Sequence, residues 1–254
     1  DVEKNLKENT VLVSIMYANN EIGTVQPIAE ITKVVKAKNS SIIFHTDAVQ
    51  AANYLDCNVN NLGVDLLTLS GHKIYGPKGI GVLYKRKGVD IEPIIFGGHQ
   101  EMGVWPGTEN IAAIAGIGEA IQQVQSAKCK VQSLLKLRDK LLDGILKSIS
   151  GTSLNGSREN RLPNNVNISF KGVEGESILM ALNEKGVAVS TGSACASGSL
   201  DPSHVLMALG IGIERAHSSI RFTLGKYNTE KEIGYVLKIL PEIISRLRKI
   251  SPLK

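Results

Sequence analysis

Aromatic side chains are scarce, at 4% of 254 residues with a single tryptophan. A chain so poor in flat rings has no stacking platform for nucleic acid, and no nucleic-acid partner is expected. Cysteine is scarcer still. Cys57, Cys129 and Cys195 are the three, and no two stand at Cys-x-x-Cys spacing. Neither a disulfide framework nor a zinc site is expected, no metal is assigned, and a reducing, cytoplasmic setting is favoured. No apolar run is long enough to span a membrane and no signal peptide is visible, so no membrane partner is expected. Long blocks of one charge are missing too, although the net charge is +5. The tightest basic cluster, Lys85-Arg86-Lys87, reads as a solvated turn or a docking patch for an acidic partner. The chain opens on Asp1-Val2-Glu3 rather than Met, as a fragment or processed product would, which leaves an organellar origin open.

What is present is an ordinary globular balance of 43% hydrophobic and 21% charged residues, enough for one large domain or two modest ones. Thr10 to Tyr17 reads as a buried strand, and Pro27 then opens a helix with Ile28, Ile31, Val34 and Val35 at helical spacing. Ser41 to His45 and Val64 to Leu69 are the next strands, with Ile80 to Tyr84 a further one. Strand–helix–strand alternation predicts an α/β fold with a mainly parallel sheet. From Ile111 to Ser148 the pattern is helical, in two pieces. Beyond it, strands at 166–170, 187–190 and 219–224 interleave with helices at 176–185 and 202–209, and a last helix runs over 229–250. This predicts a larger domain over 1–125 and a smaller C-terminal α/β domain over 126–254.

Ligands of parallel sheets bind beyond the carboxyl ends of the strands. Three polar clusters fall there: Asn19-Asn20, His45-Asp47-Gln50 and Ser70-His72-Lys73. Lys73, after the strand that stops at Ser70, reads either as a solvated loop lysine or as a desolvated amine with a lowered pKa, usable as nucleophile or base. Asp47 suits a pyridinium nitrogen or a helix cap, and Ser70 with His72 suits a phosphate, His72 alternatively being a structural histidine. A second cluster, Ser190 to Ser199, is built of small residues around Cys195, which suits an accessible thiol more than a core one. Cys57 and Cys129 lack such surroundings and read as structural. Arg221, on the strand-like run Ser218 to Gly225, is an edge charge or a planar carboxylate clamp.

Asn19-Asn20-Glu21-Ile22-Gly23, His45-Thr46-Asp47-Ala48-Val49-Gln50, Ser70-Gly71-His72-Lys73 through Gly79, Gly107-Thr108-Glu109-Asn110, Gly192-Ser193-Ala194-Cys195 and Ser219-Ile220-Arg221 follow one another along nearly the whole chain. In this order they resemble the cysteine desulfurases of the NifS/IscS type, class V aminotransferase relatives that use pyridoxal 5'-phosphate. The resemblance implies the aminotransferase-like fold (fold type I) and conversion of L-cysteine to L-alanine with a persulfide on Cys195. It implies that Lys73 forms the imine, Asp47 pairs with the pyridine nitrogen and Gln50 with the ring hydroxyl, and Asn20 contacts cofactor and substrate. Ser70, His72 and, from a neighbouring subunit of a homodimer, Thr108 would hold phosphate. Arg221 would bind the substrate carboxylate, and the sulfur would pass to an acceptor such as an iron–sulfur scaffold protein, for cluster assembly or thiolation.

Two departures go with the resemblance. Family members carry an N-terminal stretch before the position of Asp1, with a phosphate-binding turn and a histidine stacked on the cofactor. Met102-Gly103-Val104-Trp105-Pro106 also stands where arginines are common. The alternatives are a selenocysteine lyase, or a truncated non-catalytic homologue that binds partners.

Overall fold

The computed structural model describes residues 1–126, 131–191 and 201–252. They group into two compact units. Residues 1–18 and 26–126 form one, and residues 19–25, 131–191 and 201–252 form the other.

The first unit begins with a short helix α1 (Val2–Asn5) and strand β1 (Leu12–Met16), followed by helix α2 (Ile28–Lys38) and strand β2 (Ile43–Asp47). Helix α3 (Val59–Leu62), strand β3 (Leu66–Ser70), a 3-10 turn (Gly71–Ile74), strand β4 (Gly81–Lys85) and helix α4 (Ile111–Ser126) complete it. The sheet order is β1-β2-β3-β4. β1, β2 and β3 run parallel, with Met16 level with Asp47 and Asp47 level with Thr68. β4 returns antiparallel to β3. The link between those two strands holds only a 3-10 turn and glycine-rich coil, and a parallel return needs a long crossover, usually helical.

α2 packs on β2, beneath which Phe44 and Thr46 are buried. The buried stripe of α2 is Ile28, Thr32 and Val35 rather than the apolar set expected from spacing. Val34 is exposed. Thr32 is tolerated inside because its hydroxyl donates to the Ile28 carbonyl at 2.8 Å. Asp65 is buried as an ionic hub: its Oδ2 accepts from Lys36 Nζ at 2.6 Å and from the Phe44 amide at 2.8 Å. Arg86 faces the other carboxylate oxygen at 3.6 Å and caps the Val64 carbonyl at 2.8 Å. The middle of the basic cluster thus also serves the fold, while Lys87 beside it is exposed in a turn.

The second unit has helix α5 (Val131–Ser148), strands β5 (Thr152–Leu154) and β6 (Asn165–Phe170), helix α6 (Gly175–Asn183) and strand β7 (Ser190–Thr191). Helices α7 (His204–Ala208) and α8 (Ile213–His217), strand β8 (Ser219–Thr223) and helix α9 (Glu230–Ile250) follow. Its sheet, β5-β6-β8-β7, is antiparallel throughout. Every residue of β6 is buried. Its apolar residues Val166, Ile168 and Phe170 join Leu141, Ile145, Ile178, Leu182, Ile220 and Leu240 in the buried interior. α9 starts on a capping box in which Thr229 and Glu232 bond each other's backbone amides. No helix of the described residues is long and apolar enough to cross a membrane.

Candidate active site

In the first unit the reactive side chains collect at the carboxyl ends of β2 and β3. Alternation along β2 puts Phe44 and Thr46 on the packed face and His45 and Asp47 on the other. The strand runs through Asp47, two residues beyond the expected end at His45. Asp47 Oδ1 accepts from the Val49 amide at 2.9 Å, which fixes the carboxylate at the strand exit. One strand over, Ser14 Oγ and His45 Nδ1 lie 2.8 Å apart. Burial lowers the basicity of the His45 imidazole, and the neighbouring Asp47 works in the opposite direction. Gln50 is half-buried in the turn that follows.

β3 ends at Ser70, whose Oγ lies 2.9 Å from His72 Nδ1. Gly71 makes the sharp exit possible. A Cβ there would stand 2.7 Å from Ile80 Cγ2 and 2.9 Å from the Pro77 carbonyl oxygen. The turn carries His72 and Lys73 on its outer side, and both side chains are exposed. Of the two readings of Lys73, the described residues match the solvated one and not the desolvated one: the 3-10 turn projects it from the rim and leaves it open to water. Its backbone is held firmly, the Lys73 carbonyl accepting from Asn53 Nδ2 at 2.6 Å. Sequence reasoning passed over Ser14 and Asn53. Strand register brings Ser14 to His45, and a turn contact brings Asn53 to the Lys73 carbonyl; neither is visible before the chain is folded. Thr108 is exposed beside Gly107, just before α4.

The second unit holds the remaining pair. Arg221, on β8 opposite Asn167 of β6 and Ser190 of β7, donates from Nη1 to the Asn20 carbonyl at 2.8 Å. Its Nε is buried and has no partner among the described residues. A guanidinium in that state has donors to offer a planar anion. The turn that presents Asn20 is braced from several sides. Asn19 Oδ1 accepts from the Glu21 and Ile22 amides at 2.8 and 3.0 Å. The Glu21 carbonyl accepts from both Asn165 Nδ2 and Asn167 Nδ2 at 3.0 Å. Beneath it, Asn155 donates to Asn167 Oδ1 at 2.9 Å and to Ser169 Oγ at 2.8 Å. Arg161 supports Asn165 Oδ1 at 2.9 Å, and burial, then the charge of Arg138, pulls its guanidinium pKa down to about 10.

Cys195, the expected sulfur carrier, and Cys129 lie outside the described residues. Cys57 is half-buried.

An amine, an acid and a hydroxyl–imidazole pair thus stand at the carboxyl rim of a mostly parallel sheet, where α/β folds place their ligands. The chain belongs to the aminotransferase class-V family, whose model matches residues 1–236. It is similar to cysteine desulfurase IscS of Dictyoglomus turgidum, at 54% identity over all of this chain and 64% of that protein. It is also similar to a cysteine desulfurase of Nostoc sp., at 49% identity over all of this chain and 63% of that protein. Among solved structures, a NifS-like protein superposes with TM-score 0.89 at 40% identity, covering 97% of this chain and 64% of the other. A structure of SspA in complex with cysteine gives TM-score 0.72 at 37% identity, covering 90% and 62%. The chain thus spans a little under two thirds of the length of the relatives it matches.

Proposed function

We propose that the protein to which this chain belongs is a cysteine desulfurase that uses pyridoxal 5'-phosphate, takes L-cysteine and releases L-alanine. The observation that carries the reading is the set Asp47, Ser70, His72 and Lys73 gathered at one sheet rim. This donor set fits the cofactor: Lys73 would hold its aldehyde carbon, Asp47 its ring nitrogen and Gln50 its ring hydroxyl. Ser70 and His72, already 2.9 Å apart, would hold its phosphate together with Thr108 of a second subunit. When bound, that cofactor supplies a ring able to take up negative charge from the substrate's alpha carbon.

The chain's own residues do the rest. Arg221 receives the substrate carboxylate through donors not used on Asn20, and Asn20 stands beside it. The Lys73 amine takes the alpha proton and returns one to the carbon skeleton. The thiolate of Cys195 attacks the substrate sulfur, the carbon–sulfur bond breaks with its electron pair left on the beta carbon, which takes up a proton to become the methyl group of alanine, and the sulfur remains on Cys195 as a persulfide for an acceptor such as an iron–sulfur scaffold protein. The relatives named cysteine desulfurase, and the cysteine held by SspA, support this choice of substrate.

A homodimer belongs to the reading. Ile94, Phe96, Met102 and Trp105 are 87%, 84%, 88% and 57% exposed within one stretch that leads to Thr108. Apolar residues concentrated in this way support a subunit interface there. The test is covalent trapping. The full-length protein is mixed with pyridoxal 5'-phosphate, reduced with borohydride and mapped by peptide mass spectrometry. The label is expected on Lys73; label on Lys78 or Lys87 and none on Lys73 would refute the assignment.

A further inference from the structure

Glu21 has no part in the chemistry above, yet its side chain is 5% exposed, an unusual place for a carboxylate. Its Oε2 accepts from Ser203 Oγ at 2.5 Å, and Ser203 is itself only 7% exposed. Ser203 is the N-cap of α7, its Oγ accepting from the Leu206 amide at 3.3 Å. On its other side Glu21 is held through its carbonyl by Asn165 and Asn167. The carbonyl one residue earlier, that of Asn20, is the acceptor for Arg221. Side chain and main chain of Glu21 therefore tie one short turn to α7 and to β6, and the turn's neighbouring carbonyl accepts from the Arg221 guanidinium.

We propose that Glu21 is a positioning residue of the carboxylate site. By accepting the Ser203 hydroxyl it locks the Asn20–Glu21 turn, and that turn aims Arg221 at the substrate carboxylate. The inference rests on the reading of Arg221 as that site. It extends the reading by naming what orients the guanidinium. A hydrogen bond to a buried carboxylate is among the stronger kinds, and the donor left behind when the acceptor is deleted has no water to turn to. A guanidinium with a loosened anchor keeps its charge but loses its preferred orientation, so the cost falls on binding of the carboxylate and not on attachment of the cofactor.

The experiment uses the full-length protein loaded with pyridoxal 5'-phosphate and measures the Kd of L-alanine by calorimetry, beside the cofactor absorbance and the melting temperature. Hydrogen exchange of the 19–24 amides is followed in the same samples. Glu21→Ala is expected to raise the Kd about tenfold and to speed exchange in the turn, with the absorbance unchanged. Glu21→Gln keeps an acceptor for Ser203 and is expected to stay within about twofold of the parent. Ser203→Ala is expected to follow Glu21→Ala, and it decides the matter if Glu21→Ala does not fold. Glu21→Ala or Ser203→Ala binding with the parent's affinity, while Arg221→Ala has lost it, would overturn the role of Glu21 alone. Arg221→Ala binding as the parent does would overturn the carboxylate site itself, and the inference with it.

Discussion

Gly23 closes the turn that carries Asn20, and replacing it by alanine is a severe test of how tightly that turn is built. Its φ is +70°, a conformation that costs an L residue roughly 1–2 kcal/mol. An added Cβ would also stand 2.7 Å from Asn165 Cβ and 2.8 Å from its Oδ1, well inside contact distance. Asn165 cannot yield without giving up its bond to the Glu21 carbonyl at 3.0 Å or the one it accepts from Arg161 at 2.9 Å. One lost buried hydrogen bond adds about 1 kcal/mol, for a total of about 2–3 kcal/mol. Scanning calorimetry of the Gly23→Ala protein should then show a melting temperature lower by roughly 4–12 °C. Gly118 in α4 is the control, since a Cβ there meets nothing within 4 Å. Gly118→Ala should be neutral or stabilising by up to about 1 kcal/mol, because glycine weakens a helix interior. A Gly23→Ala protein that melts within about 2 °C of the parent would refute the reasoning, for it would mean that the turn and Asn165 adjust freely.

Other expectations concern charge, assembly and binding. Burial holds the His45 imidazole below its ordinary pKa of 6.5, so the unfolded chain takes up a proton first as the solution is acidified. Stability present above pH 6.5 should be lost progressively below it, and melting curves at a series of pH values should show His45→Gln flattening that loss; an unchanged slope would deny His45 the role. Phe96→Asp combined with Trp105→Asp should shift the full-length protein from dimer toward monomer in sedimentation, and an intact dimer would remove the 94–105 stretch from the interface. Arg221→Lys keeps the charge but loses the planar fork, and steady-state kinetics should show the KM for L-cysteine raised by about 10–100-fold, whereas an unchanged KM would deny Arg221 the carboxylate role.

How much could be read in the residues follows from how each element is stabilised. β1, β2 and β3 were legible as strands because apolar runs end abruptly in polar residues, and the same ends placed Asp47 and Ser70 at the rim; the expected burial of β1 is not met, Leu12 and Met16 being 52% and 42% exposed. The direction of β4 was not, since an apolar run looks the same in either sense. β5, Thr152–Leu154, carries too little apolar surface to announce itself and exists through its pairing with β6. In β6 itself the alternation of Asn165, Asn167 and Ser169 with Val166, Ile168 and Phe170 reads as a half-solvated strand. The structure buries both faces, and the polar one is satisfied by Asn155, Ser219 and the Glu21 carbonyl. Long-range pairing of polar groups has no local signature, which is why the bracing of Asn20 and Arg221 emerged only with the fold. Lys73 shows the converse: its place after β3 was legible, its exposure was not.

The most direct measurement is peptide mass spectrometry of the full-length protein, loaded with pyridoxal 5'-phosphate and given L-cysteine, beside its Lys73→Ala variant. One additional sulfur atom is expected on the Cys195 peptide of the parent, with none on Cys57 or Cys129 and none anywhere in the variant. Release of alanine with Cys195 unmodified, or extra sulfur on Cys57 instead, would contradict the assignment of Lys73 as the reacting amine and Cys195 as the sulfur carrier.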